Sequence, residues 1–270
     1  MSSNELTISV KEAELSAICL DPRDQEKPYI IYHHGLFGSI AGDHCQDALK
    51  VAEDTGCGFF AFDNLGHGKT ASLKGTVPLE KCNMENWVRT SREVIRKQVP
   101  EYAEVILVGN SFGAGVLYLS ALTMTQKAHS FLGIGAAPDV ISEEIASGLQ
   151  QYFDLGVLTA EQKTSYEAGE VIYAPFPDPQ GDLIPISRSF IEVADTYKVL
   201  GNENKLHCPA VLFQGTEDKS LAGDKASRFV HQFHSAGSRV ALLLGSDHDL
   251  MADKDRAQIT QALKSMALQR

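Results

Sequence analysis

Short, uniformly apolar runs separated by helical stretches constrain this chain more than any other feature. Residues 29–32, 59–62, 105–108, 131–134, 211–213 and 240–244 each form such a run. A strand that is apolar on both faces is buried on both faces, which marks parallel strands covered by helices. The intervening stretches 44–55, 84–98 and 111 to about 124 carry helix formers, and Pro100 stands just beyond the second. Residues 6–10 and 14–20 read as an antiparallel hairpin ahead of the first run. The expectation is an α/β fold with a mostly parallel sheet and an antiparallel N-terminal edge.

A chain of 270 residues fits one large α/β domain. With 43% hydrophobic and 22% charged residues, collagenous, fibrous and low-complexity architectures are excluded. The net charge of −11 repels phosphate backbones and anionic lipid surfaces, so no nucleic-acid partner is expected. No stretch approaches the ~18 apolar residues of a membrane span. Met1-Ser2-Ser3-Asn4-Glu5 has neither a basic n-region nor an apolar h-region, and it is unlike a transit peptide. Cys19, Cys45, Cys57, Cys82 and Cys208 are scattered and form no CxxC pair, which favours buried free thiols in a reducing cytoplasm.

One region breaks the alternation. Between 139 and 205 no buried strand is evident, and three helices are expected. Ser142 caps the first, through Phe153; Thr159 with Gln162 forms a capping box for the second; the third starts near Ser187 or Ser189 and runs to Leu200. The cluster 174–181, with three prolines and a glycine, breaks the chain between the second and third. The division expected is therefore a core of 1–138 and 206–270, with 139–205 as an all-helical cap over one end of the sheet.

The chemistry-bearing signal is Gly109-Asn110-Ser111-Phe112-Gly113, a G-x-S-x-G directly after an apolar strand and directly before a helix. In that context the serine occupies a strained turn that presents its Oγ at the top of the sheet, beside the free N–H groups of a helix N-terminus. A serine hydroxyl needs a positioned base. His248 follows the last apolar run, in Gly245-Ser246-Asp247-His248-Asp249, and reaches the same sheet edge. Asp218 ends the strand–turn segment Val211-Leu212-Phe213-Gln214-Gly215-Thr216-Glu217-Asp218 and supplies the carboxylate that orients the base. Ser111, Asp218, His248 is the chain order of nucleophile, acid and base on a doubly covered sheet of this kind.

An oxyanion needs N–H donors close to the nucleophile. Phe112 supplies one, and Leu36 of His34-Gly35-Leu36-Phe37-Gly38-Ser39 the other; His34 reads as the residue that orients this loop. Phe37 on the same loop is a candidate substrate contact. Tyr152, Phe153, Tyr173 and Phe176 read equally as core or as the lining of an acyl pocket. Arg188 is the candidate cation for an anionic substrate. The turn Asp63-Asn64-Leu65-Gly66-His67-Gly68 reads as structural, with Asp63 tying it down. There is no phosphate loop, dinucleotide fingerprint or metal-ligand cluster, so no metal and no cofactor are expected.

Taken together these residues resemble the α/β-hydrolase superfamily over nearly the whole chain, from the loop at 34–35 to His248. The resemblance leans toward one branch, the capped acyl-protein thioesterases and acyl-glucuronide esterases of mitochondria and their bacterial relatives (the α/β-hydrolase-domain-10-like group). Ser189-Phe190-Ile191-Glu192, Cys208-Pro209, Gly215-x-x-Asp218 and Ser246-Asp247-His248 carry it. The apolar–proline pair usual after the acid is missing; Lys219-Ser220-Leu221-Ala222-Gly223 stands there. The resemblance implies an eight-stranded sheet with a small helical cap, and cofactor-free hydrolysis of carboxylic esters or thioesters of small to medium acyl groups through an acyl-serine. A serine peptidase or a perhydrolase on the same triad is the alternative enzyme. A non-catalytic ligand receptor on the fold is the alternative outside catalysis, though a receptor has no need of nucleophile, base and acid all intact. No sequence feature sets acyl length or oligomeric state.

Overall fold

The computed structural model describes residues 4–11, 13–175, 183–221 and 223–269. Ten strands and eight α-helices are formed among them: β1 Asn4–Ser9, β2 Glu14–Leu20, β3 Tyr29–His33, α1 Asp43–Thr55, β4 Gly58–Phe62, α2 Met84–Gln98, β5 Glu104–Asn110, α3 Phe112–Ala121, β6 Lys127–Ile134, α4 Ala146–Asp154, α5 Ala160–Glu167, β7 Ile172–Pro175, β8 Leu183–Ile186, α6 Arg188–Thr196, β9 Ala210–Gly215, α7 Lys225–Val230, β10 Arg239–Leu243 and α8 Asp253–Leu268. Eight strands make one sheet in the order β1-β2-β4-β3-β5-β6-β9-β10. β1 and β2 pair antiparallel, as do β2 and β4, and every pair from β4 to β10 is parallel. This is the sheet expected from the apolar runs.

Alternation along each strand divides the core between two faces. On β3, Tyr29 and Ile31 join one apolar cluster and Ile30 and Tyr32 the other; on β5, Val105 and Leu107 separate from Ile106 and Val108 in the same way. α2 and α3 cover the first face through Trp87, Val88, Leu117 and Tyr118. α1 and α8 cover the second through Cys45, Ala52, Ile259 and Leu263. All the parallel strands end at one edge, and the loops that leave that edge carry the residues of interest.

Segment 139–205 is not all-helical. β7 and β8 form a separate two-stranded antiparallel ribbon. Ile172, Ala174, Ile184 and Ile186 face inward and Tyr173 and Leu183 outward, so each strand buries only alternate residues. Pro185 sits within β8; a two-stranded ribbon is all edge, where a missing N–H is tolerated. The first helix also starts differently. Ile141–Ile145 is a π-turn, in which Ile145 N donates to Val140 O at 2.8 Å, and Ser142 lies inside it with its Oγ on Asp139 O rather than capping α4. The Thr159–Gln162 capping box forms at the start of α5, and Ser187 caps α6. α6 ends at Thr196 rather than Leu200, because the N–H groups of Val199 and Leu200 donate to the two carboxylate oxygens of buried Asp139, at 2.8 and 2.9 Å. That carboxylate ties the two ends of the segment together.

Candidate active site

Ser111 joins β5 to α3 with φ 47° and ψ −125°, a left-handed conformation that costs a non-glycine residue strain. The turn is held from both sides. Ser111 N donates to Ile134 O at 2.8 Å, and Ser111 O accepts from Ala114 N at 3.1 Å and Ala137 N at 3.0 Å. The small residues beside it are required sterically: a β-carbon on Gly113 would lie 2.2 Å from His34 O. That close approach sets the loop bearing Leu36 against the serine turn.

Two hydrogen bonds run from the serine across the strand ends. Ser111 Oγ lies 2.8 Å from His248 Nε2, and His248 Nδ1 lies 2.8 Å from Asp218 Oδ2. Asp218 is 2% exposed along its side chain and accepts further bonds from Gln214 Nε2 at 2.7 Å, Ser220 N at 2.8 Å and Leu221 N at 3.2 Å. Burial pushes its pKa up, but the bond and charge of His248, with the other donors, hold it below the ordinary value. Burial pushes His248 down, and the Asp218 carboxylate more than reverses this, with Asp249 and Asp247 adding to it. An ionised Asp218 accepts a hydrogen bond from Nδ1–H and so fixes the tautomer, which leaves the Nε2 lone pair facing the serine hydroxyl.

Among the described residues Asp218 is the carboxylate that hydrogen-bonds the His248 ring. Glu217 is exposed, with its N–H on Ser246 O. Asp247 Oδ1 accepts from Leu250 N, and Asp249 offers its carbonyl to His44 Nε2. The missing proline has a local counterpart: Ser220 and Leu221 each donate a backbone N–H to Asp218 Oδ1. Gln214 carries little signal in the sequence. It is a polar residue closing the otherwise apolar β9 run, and only that interruption hinted at a role.

Ser111 and His248 open into a cavity of about 940 Å³. Leu36, Phe37 and Phe112 line it, together with Val140, Leu221 and Met251. Phe112 is the first residue of α3, so its N–H has no partner within the helix. Phe37 is held at φ 63° by a tight turn that Gly38 N closes onto Gly35 O at 3.0 Å. Tyr152, Phe153, Tyr173 and Arg188 are not brought to this cavity. Tyr152 and Phe153 are half-buried on α4, with Phe153 against Tyr166. Tyr173 is exposed and donates to Glu80 at 2.9 Å. Arg188 is exposed and pairs with Glu192 at 2.7 Å. Phe176 lies outside the described residues.

Behind the Leu36 loop sit three buried imidazoles. His33 Nδ1 donates to His34 O, His34 Nδ1 to Gly35 O and His67 Nδ1 to Leu65 O; His34 Nε2 accepts from Asn64 N. Burial lowers all three, His33 to about 4, so they stay neutral and structural. Asp63 ties its turn down by accepting from Ile40 N and Lys69 N, both at 2.8 Å. Among the described residues no group of His, Cys, Asp and Glu could hold a metal.

Comparison with known proteins gives one family. The model of the Alpha/beta hydrolase family matches residues 30–262. The mitochondrial palmitoyl-protein thioesterase ABHD10 of Bos taurus is 24% identical over 236 residues, covering 87% of this chain and 70% of its own. Among solved structures, a putative hydrolase from Agrobacterium vitis S4 superposes with a TM-score of 0.80 at 19% identity, covering 98% of both chains. Alpha/beta hydrolase domain-containing protein 10 from mouse superposes with a TM-score of 0.77 at 21% identity, again over 98% of both.

Proposed function

Because the chain belongs to the alpha/beta hydrolase family, we propose that it is a serine hydrolase that cleaves carboxylic esters or thioesters of small to medium acyl groups through an acyl-enzyme on Ser111. The observation that carries this reading is the continuous chain Ser111 Oγ, His248 Nε2, His248 Nδ1, Asp218 Oδ2, with both links at 2.8 Å, opening onto the cavity. As Ser111 Oγ bonds to the acyl carbon, its proton passes to His248 Nε2. The carbonyl oxygen becomes an oxyanion held by the N–H groups of Phe112 and Leu36. Collapse breaks the bond to the leaving alkoxide or thiolate, which departs with the proton from Nε2. Water then adds to the acyl carbon, gives a proton to Nε2, and the carboxylic acid leaves as that proton returns to Ser111. Asp218 stays ionised throughout and stabilises the imidazolium.

The thioesterase relative from Bos taurus, at 24% identity, supports thioester cleavage beside ester cleavage. Segment 139–205 serves as the cap: Val140 reaches the cavity, and Phe190 of α6 packs on Trp87, which packs on Phe112. Five free cysteines favour a reducing compartment such as the cytoplasm. Among the described residues no helix is long and apolar enough to cross a membrane. A panel of p-nitrophenyl esters of graded acyl length, beside acyl-CoA and S-acyl peptides, tests the reading. Turnover of the shorter esters, lost in Ser111→Ala, is expected; no turnover of any member contradicts it.

A further inference from the structure

The charged residues around the cavity are lopsided. Among the described lining residues, Asp43, Glu217, Asp247 and Asp249 are carboxylates and Lys219 supplies an ammonium. Arg256 offsets Asp43, at 3.6 Å. Glu217, Asp247 and Asp249 are exposed, and among the described residues none of them forms an ion pair. The cation expected from the sequence to draw anionic substrates, Arg188, lies outside the lining and is held by Glu192. The whole chain adds a net charge of −11. A cleft lined by one sign of charge concentrates the opposite sign and repels its own. This rim acts at the reacting pair as well as at the mouth, since Asp249 and Asp247 both bear on His248.

We propose that this rim, if Ser111 is the nucleophile as read above, sorts substrates by the charge of the leaving group. Acyl thioesters and esters with cationic or neutral leaving groups enter, and those with anionic ones, nucleotide thioesters included, are turned away. The class favoured is an acyl group carried beside positive charge, as on a basic peptide or a quaternary ammonium alcohol or thiol. Glu217 and Asp249 are the specificity-determining residues, and Lys219 works against them.

The test uses the full chain and three thioesters of one short acyl group, with thiocholine, mercaptoethanol and mercaptoacetate as leaving thiols. Free thiol is followed at low and at near-physiological ionic strength. The expected order of kcat/KM is thiocholine, mercaptoethanol, mercaptoacetate, with about tenfold between the first and last at low salt, narrowing as salt is added. In Glu217→Gln/Asp249→Asn the thiocholine-to-mercaptoacetate ratio falls; in Lys219→Gln it rises. Hydrolysis of all three without that order, or ratios unmoved in both variants, overturns the charge selection and leaves the hydrolase reading standing. Hydrolysis of none of them overturns both.

Discussion

Gln214 Nε2 donates to Oδ2 of Asp218 at 2.7 Å, the same oxygen that receives His248 Nδ1 at 2.8 Å. The amide fixes the carboxylate in rotation, and the carboxylate fixes the imidazole. Gln214→Met keeps the volume and removes the donor. A hydrogen bond to a charged group contributes about 1.5–3 kcal/mol, so a loss of about tenfold or more in kcat with little change in KM is expected. The carboxylate, freed of one donor, holds the His248 proton more tightly, and the acid limb of the pH profile moves upward. An unmoved limb and unchanged kcat would show that Gln214 only fills space.

Asp218→Asn puts an amide where the imidazole needs a carboxylate. The wrong tautomer is favoured and the imidazolium loses its counter-charge, at up to about 10⁴-fold in kcat. In the wild type, His248 is raised above its ordinary 6.5 chiefly by Asp218 against the opposing pull of burial. Nε2 accepts a proton only when the ring is neutral, so the acid limb of kcat/KM is expected above pH 6.5. In Asp218→Asn burial then prevails and the limb falls. A full-activity Asp218→Asn, with one of Glu217, Asp247 or Asp249 essential instead, contradicts the assignment.

His33, His34 and His67 are buried neutral, with pKa values lowered by burial. The unfolded chain binds protons to them near pH 6.5 and the folded chain does not, so their contribution is complete above 6.5 and lost as pH falls toward their folded values. His33 alone, at about 4, corresponds to about 3 kcal/mol across that window. His248, raised rather than lowered, changes its contribution only above pH 6.5 and is flat across this window. Urea midpoints should therefore drop steeply between pH 6.5 and 4.5. Trp87, the single tryptophan, lies 5.7 Å from the His67 ring and reports the transition. A flat profile counts against neutral burial. His67→Ala is expected to lower the midpoint while activity persists in the folded fraction; His248→Ala is expected to abolish activity while leaving the midpoint nearly unchanged.

Gly113→Ala pushes a β-carbon to 2.2 Å from His34 O and 2.6 Å from His33 O, both backbone atoms. Neither can yield without moving the Leu36 loop, so a loss of about 3 kcal/mol is expected, with activity lost in whatever folds. Gly148, inside α4 with nothing within 4 Å, is the contrast: Gly148→Ala should stabilise by about 0.5–1 kcal/mol. Urea denaturation of both variants reads the difference. Equal midpoints would deny the close packing of strand, loop and helix.

The sheet was legible because parallel strands buried on both faces leave continuous apolar runs, as at 105–108 and 59–62. Ser111, Asp218 and His248 could be placed because each closes such a run or stands just beyond it, and strand ends share one edge. The ribbon β7–β8 escaped notice because its strands are four residues long, half exposed, and interrupted by Pro185. The π-turn escaped because nothing in Ile141–Ile145 departs from an ordinary helix pattern. The aromatics Tyr152, Phe153 and Tyr173 were drawn to the cavity by type alone. None of the three lines it, while Val140 and Met251, unremarkable in sequence, do. Long-range packing decides such contacts, and a local pattern does not carry it.

The proposed reaction requires Ser111 to be an activated nucleophile. A fluorophosphonate probe reacts with such a serine and spares ordinary hydroxyls. Intact-mass and peptide analysis of the wild-type chain should show one adduct per chain, on the peptide containing Ser111, and none in Ser111→Ala or His248→Ala of unchanged fold. Absence of labelling in the folded wild type, or an adduct that persists in Ser111→Ala, would show that Ser111 is not the nucleophile.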